Sequence, residues 1–277
     1  MGNILKPAWR FSQHGNLWSI YNAGKNFITG ETREEKKKLP LFFTVNAKTG
    51  EVILRDYQLN EENALISSIA SSDKYLFLHR LINPELPIHR GIIAVDIHSG
   101  EIIWKNEEYE YMFHTNDAVY TKITKFENFE YQKLDINSGN LIKNYSENDT
   151  ATLFELRRQL IEENYENEKD FPVYNIEYSS EDAKDIFNRE INIDTGNYQI
   201  EFIEKDKLLI FTYHKALADN CYQVFICIYN LSDKKRLFKE TIYKQAPLVF
   251  PDNFFIMDNF LYFIKEKKEI VAINLNL

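Results

Sequence analysis

The chain has 277 residues, 33 Lys plus Arg against 42 Asp plus Glu, a formal charge of −9 and a hydrophobic fraction of 44%. This is globular composition, which excludes a disordered chain. The acidity speaks against a phosphate-backbone partner, and no apolar run approaches the roughly 18 residues of a membrane span.

The first segment, MGNILKPAWRF, lacks a positive start followed by an apolar stretch, and Lys6 stands where a myristoylation pattern needs Ser or Thr. A cytoplasmic protein without a lipid anchor is therefore expected. Residues 7–11, PAWRF, read as an isolated strand. Phe and Tyr together number 37 against nine Gly, a composition that favours pleated, half-buried surfaces.

From residue 39 onward a repeat emerges: an apolar strand ending in Asn or Asp, a short turn, a Gly, and a second apolar strand. LPLFFTVNAKTGEVILRD carries Asn46 and Gly50, RGIIAVDIHSGEIIWKN carries Asp96 and Gly100, and EYQKLDINSGNLIKNY carries Asp135 and Gly139. The Asn or Asp bonds its own backbone two residues on, and Gly takes the positive φ that returns the chain into an antiparallel partner. Two weaker copies, at Asn230 and Asn274, lack the Gly.

Another pair of short apolar segments precedes each of the later copies, as in ALISSIASSDKYLFLHRL, YMFHTNDAVYTKIT, YQIEFIEKDKLLIFTYH and NFFIMDNFLYFIKE. One unit is then four antiparallel strands, A to D, and the anchor spacing brackets the roughly 40 to 50 residues of a propeller blade. The interval from Asp135 to Asn230 is about twice that length. It contains a helical insertion at about 148–190: a first helix with Leu153, Leu156, Leu160, Ile161 and Asn164 at helical spacing and Asp149 or Thr150 as N-cap, and a second from Ser180, with Glu181 and Asp182 in its first turn. The final unit lacks an outer strand, and PAWRF supplies one, with Trp9 corresponding to Trp104. The reading is an all-β single domain over 1–277: a five-bladed β-propeller, with six blades as the alternative, whose last blade is closed by the N-terminal strand.

At its turns the chain resembles the PQQ-like repeat of β-propellers; IIAVDIHSGEIIW, from Ile92 to Trp104, is the best match. Its length and Phe-, Tyr- and Lys-rich acidic character also resemble an uncharacterised family (a domain of unknown function) of small bacterial propeller-like proteins. The resemblance implies architecture and no chemistry. The quinone-dependent dehydrogenases that share the repeat have adjacent cysteines near their cofactor. Here the two cysteines are Cys221 and Cys227, which on one strand are too far apart to bridge, so no cofactor is expected.

In such blades the B–C and D–A connections share one face, and the longest B–C connections are 31–40, 80–91 and 214–223. They collect Arg33, His79, Arg80, His89, Arg90, His214 and Lys215 as candidate ligands for an anionic or polar partner, with Trp18 and Trp104 as aromatic anchors. His79 and His214 each close a strand B. No His is paired at metal-ligand spacing, so no metal site is expected. Asp73, Asp117, Asp206 and Asp258 recur at A–B turns and read as turn residues, although paired carboxylates in a central channel would serve a glycoside-processing hydrolase. A monomeric, non-enzymatic binding or scaffold module for an unknown protein or small polar ligand, engaging neither nucleic acid nor membrane, is the expectation.

Overall fold

The computed structural model describes residues 4–34, 39–59, 66–83, 86–125, 128–167, 170, 172–174, 176–191, 200–218 and 220–276. The described residues form five four-stranded antiparallel sheets and two α-helices. Two compact units divide them: Gln13–Asn167, and Met1–Ser12 with Glu168–Leu277.

In the Gln13–Asn167 unit, successive strands pair as neighbours. After β1 (Trp9–Ser12), which belongs to the other unit, sheet I comprises β2 (Asn16–Ala23), β3 (Phe27–Arg33), β4 (Pro40–Asn46) and β5 (Val52–Tyr57). Sheet II comprises β6 (Ile66–Ser71), β7 (Tyr75–Asn83), β8 (Leu86–Asp96) and β9 (Ile102–Asn106). Sheet III comprises β10 (Glu110–His114), β11 (Ala118–Lys125), β12 (Asn128–Asp135) and β13 (Leu141–Tyr145). Side chains alternate between the faces of a strand, so the continuous apolar run of β8 buries both faces of sheet II. Ile93 and Val95 pack with Ala23 and Phe42 of sheet I, while Ile92 and Ala94 pack with Val119 and Ile136 of the third layer. The outer layer is α1 (Thr150–Asn167), whose Leu153, Leu156 and Leu160 lie against Phe113, Tyr120 and Tyr131 of sheet III.

The recurring turn is built as its chemistry requires. Asn46, Asp96 and Asp135 each accept the N–H groups two and three residues on, at 2.8 to 3.1 Å. The N–H groups of Gly50, Gly100 and Gly139 return to the carbonyls of those residues, with φ of 71°, 77° and 69°. A second constraint on the glycine comes from the preceding sheet. Tyr57, at the end of β5, lays its ring on Gly100 and donates its hydroxyl to the Gly100 carbonyl. Trp104 on β9 covers Gly139 and donates its indole N–H to the Ile136 carbonyl at 2.8 Å. A Cβ on either glycine would stand 2.7 Å from a ring carbon. Trp104 is accordingly buried and is not the surface anchor expected of it; its indole links sheets II and III.

The other unit contains α2 (Glu181–Ile191) and sheet IV, formed by β14 (Ile200–Lys205), β15 (Leu208–Ala218), β16 (Cys221–Asn230) and β17 (Arg236–Ala246). Sheet V runs β1, β20 (Glu269–Asn274), β19 (Phe260–Lys265), β18 (Phe254–Met257). Trp9 pairs with Ala272 in the register in which Trp104 pairs with Ala94, so the N-terminal strand fills the fourth position of this sheet as the sequence repeat implies. Ahead of it, the N–H groups of Ile4 and Leu5 bond the Leu237 carbonyl, and Arg10 reaches Glu240 and Glu269 at 2.8 and 2.7 Å. Between the sheets lies a core that includes Ile210, Ile226, Phe238, Phe263 and Val271. Two isolated β-bridges, from Asp170 to Ile256 and from Val173 to Phe202, lie on edge strands β18 and β14.

Helix α2 covers the opposite face of sheet IV, burying Ile186 and Phe187 against Phe202, Phe211 and Tyr229. Its first turn is capped by Ser180, whose Oγ accepts the Ala183 N–H. The sheet IV turn has Lys234 at the glycine position, in a left-handed conformation with φ of 52°. There the cover is the helix: Lys234 Nζ lies 2.8 Å from Asp182 and 2.7 Å from Asp185, and its carbonyl accepts from Arg189. Loss of the glycine therefore coincides with replacement of a flat aromatic lid by an ionic one.

Three expectations require correction. Helix α1 begins at Thr150, as the sequence places it, but after a 3-10 turn over Glu147–Asp149, and the Asp149 carboxylate faces that turn instead of the helix: it accepts the Ser146 N–H and Oγ–H. Ile161 is 49% exposed and lies off the buried stripe. The supposed loops at 80–91 and 214–223 are mostly strand, because the antiparallel pairing of β7 with β8 and of β15 with β16 extends into them. Of the connection at 31–40, residues 35–38 lie outside the described residues.

Replacing Gly100 or Gly139 by Ala forces a left-handed Cβ into an aromatic ring and is expected to cost about 2 kcal/mol or more, whereas Lys234→Gly should stay within about 1 kcal/mol of wild type. Urea denaturation checks both. Deleting residues 1–12 removes the buried Trp9 and Phe11 together with a sheet ladder, and should lower stability by about 5 kcal/mol or more in the same assay.

Candidate functional site

In the Gln13–Asn167 unit, the centre of interest is a carboxylate that the sequence pattern does not single out. Glu31 lies on β3, fully buried. A buried charge needs a complete set of partners. Glu31 Oε2 accepts from Ser67 Oγ at 3.0 Å, Ser68 N at 2.8 Å and Ser68 Oγ at 2.9 Å, while Oε1 accepts Arg33 Nε at 2.5 Å. Three of these donors lie on β6, so the carboxylate joins sheets I and II. Ser19 Oγ is 2.5 Å from Ser68 Oγ, and the Tyr21 hydroxyl donates to the Ser68 carbonyl at 3.1 Å.

Arg33 extends from this centre toward the surface. Its guanidinium carbon is 4.6 Å from the ring centre of Trp18, which is 63% exposed on β2. A cation over an indole face is electrostatically favourable. Of the two tryptophans expected as anchors, Trp18 is thus the one the structure leaves at the surface.

The β7–β8 hairpin contributes four of the expected residues. His79 and His89 stack with ring centres 4.0 Å apart and planes within 9°. Both Nδ1 atoms are buried without a hydrogen-bond partner. Burial is the main cause that lowers the His79 pKa to about 4, with the charges of His89 and Arg33 adding to it. Arg80 and Arg90 are directly opposed across the hairpin, and Arg80 Nε is 3.6 Å from the Glu107 carboxylate. Gly91, at φ of 80°, marks the irregularity beside that pair.

His214 and Lys215 belong to the other unit, on β15, and the structure does not gather them with the rest. His214 is buried beside Tyr222 and Phe250, with the Phe250 N–H 3.5 Å from its Nε2. Lys215 is exposed. The same unit holds a second buried carboxylate, Glu201, which accepts the Asn253 backbone N–H at 3.1 Å and side-chain amide at 2.6 Å. Burial raises its pKa.

The recurring aspartates serve turns. Asp206 and Asp258 adopt left-handed φ of 53°, and Asp117 accepts from Thr115 Oγ at 2.6 Å and Lys133 Nζ at 3.3 Å. Among the described residues no group of three or more His, Cys, Asp or Glu is placed to hold a metal ion. No helix among them is long and apolar enough to cross a membrane.

Residues 22–104 match the model of a domain of unknown function, DUF4905. That span runs from the end of β2 to β9 and includes the Glu31 centre and both arginines of the hairpin. No curated protein matches the sequence. The solved structures similar to this chain include a eukaryotic initiation factor, at 6% identity over 80% of this chain and 54% of that one with a TM-score of 0.32. Another is the Dos1 propeller, at 9% identity over 97% of this chain and 76% of that one with a TM-score of 0.31. The chain spans about half the length of the initiation factor.

His79 is neutral when folded and binds a proton more readily when unfolded. Its contribution is therefore present above pH 6.5 and is lost as the pH falls from about 6.5 toward 4. The urea midpoint should drop between pH 7 and pH 5, and His79→Gln should shrink that drop.

Proposed function

We propose that the chain is a non-enzymatic binding or scaffold module whose Gln13–Asn167 unit takes a polar, anionic ligand through Arg33, Arg80 and Arg90, with Trp18 as the adjoining aromatic surface and His79 and His89 behind it. The observation that carries this reading is the Arg80–Arg90 pair. Arg80 is partnered by Glu107 at 3.6 Å, but like charges directly opposed across a sheet are destabilising by several tenths of a kcal/mol, and an anion on Arg90 relieves that repulsion. Arg33, fixed by Glu31 and laid on an exposed indole, offers a pre-set guanidinium of the kind that recognises carboxylate or phosphate groups. Lys215 is a separate, exposed contributor in the other unit; His214 is too enclosed to meet a ligand from solvent.

The larger architecture that fits this role is a five-bladed propeller of the PQQ-like repeat type, closed by the N-terminal strand. Its support is the five four-stranded sheets, the repeated turn of sheets I to III, and the place of β1 beside β20. Two unbridged cysteines on one strand suit a reducing compartment such as the cytoplasm. The hydrolase alternative gains nothing from Glu31, Glu201 or Asp117: the first two are occupied by donors from a neighbouring sheet or its approach, and Asp117 by Thr115 and Lys133.

Titration calorimetry with inorganic tripolyphosphate tests the reading. The double variant Arg80→Glu, Arg90→Glu should bind about tenfold or more weakly with an unchanged melting temperature, since each lost charge-assisted contact is worth about 1.5 kcal/mol or more. Equal affinity for variant and wild type would remove this face from consideration.

A further inference from the structure

Trp18 has two indole faces, and the Arg33 guanidinium occupies one of them, its carbon 4.6 Å from the ring centre. With a guanidinium on one side, the residue is 63% exposed only because the other face is open to solvent. An exposed, rigid indole face is a platform on which a planar ring stacks.

The cations beside this platform run in a row. Arg33 Nη2 donates to the Ile66 carbonyl at 3.4 Å, which places the guanidinium at the start of β6. Ile66 is the register partner of Arg80 on β7, and Arg80 is the partner of Arg90 on β8. Paired strands lie about 4.8 Å apart, so the Arg80 and Arg90 backbones follow at roughly 5 and 10 Å from β6. Cross-strand partners project from one face of a sheet. Ile66 faces sheet I, where it packs with Ala23 and Phe42, so both arginines leave sheet II on the side from which Arg33 comes. Glu31 engages only Nε of Arg33, and Glu107 offsets part of the Arg80 charge. Arg90 stands exposed at the end of the row.

An aromatic platform followed by cations one strand apart suits an elongated molecule, a planar ring that leads into a chain with negative charge at each step. A single carboxylate would reach one arginine only. A chain of phosphates without a ring would leave the indole face uncovered. Guanidinium groups match phosphate oxygens in geometry as well as in charge. We infer, building on the anion-binding role proposed for this face, that its ligand is a nucleoside polyphosphate, with the base stacked on the open face of Trp18 and the phosphates along Arg33, Arg80 and Arg90.

Tryptophan fluorescence of the full chain, read beside calorimetry, tests this. Trp9 and Trp104 are each only 8% exposed, so quenching by a stacked base reports Trp18. Metal-free ATP should quench the emission saturably and bind about tenfold or more tightly than tripolyphosphate, the gain a stacked base supplies. Adenosine, without the anionic chain, should bind about tenfold or more weakly than ATP. In Trp18→Leu, which keeps an apolar cover over Arg33, the preference for ATP should vanish while tripolyphosphate affinity stays within about twofold of wild type. Arg90→Glu should weaken ATP and tripolyphosphate alike. If tripolyphosphate binds and ATP binds no better, the nucleotide assignment fails and the arginine face stands. A preference for ATP that survives in Trp18→Leu puts the base elsewhere and overturns the assignment too. Binding of neither ligand overturns the face and the nucleotide together.

Discussion

The packing of one sheet's outer aromatic onto the next sheet's turn glycine holds the Gln13–Asn167 unit in register. The same few atoms satisfy two demands. The left-handed turn needs a residue without a Cβ penalty, and the ring of Tyr57 or Trp104 needs a surface without a Cβ on it. Each ring then donates a hydrogen bond to a carbonyl of the turn it covers, so the position of one sheet against the next is fixed by direction as well as by apolar area. Core residues of the two layers, such as Phe77 of sheet II and Tyr111 of sheet III, pack in the angle this defines.

Buried carboxylates make a second kind of joint. Glu31 ties β3 to β6, and Glu201 ties β14 to the segment just ahead of β18. Such ionic joints are costly to break, because a lost partner leaves a desolvated charge, whereas the intact set only about compensates its own desolvation. They specify which backbone lies next to which, and leave most of the stabilisation to the apolar layers. Lys239 and Tyr229 do the same for Glu190, fastening α2 to sheet IV.

Local signals in the sequence were sufficient for the four-strand unit, the Asn46, Asp96 and Asp135 turns, the second helix with its Ser180 cap, and the pairing of the first strand with the last. Each of these rests on contacts within a few residues or on a periodic pattern. The long-range partners were not legible. A lone Glu in the run Phe27–Arg33 says nothing of Ser67 and Ser68, which receive it, and Trp104 looks like a surface aromatic until Gly139 is placed beneath it. The hairpins at 80–91 and 214–223 were misjudged because charged and turn-forming residues there imitate loop composition although the ladders of β7–β8 and β15–β16 extend into them. The candidate site was half visible: its arginines and histidines were, and the carboxylate that fixes Arg33 was not.

The bridges of Asp170 and Val173 bear on solubility as well as on shape. Their peptide groups occupy hydrogen-bonding positions on β18 and β14, the two edge strands of the Met1–Ser12, Glu168–Leu277 unit that lie opposite the β1 and β17 edges. An edge left open is a template for any extended chain that drifts past, including the same segment of another molecule. By meeting Ile256 and Phe202 with their own peptide groups, Asp170 and Val173 deny those places to intruders. A stretch that reads as mere connection thereby acts as a guard against intermolecular strand exchange.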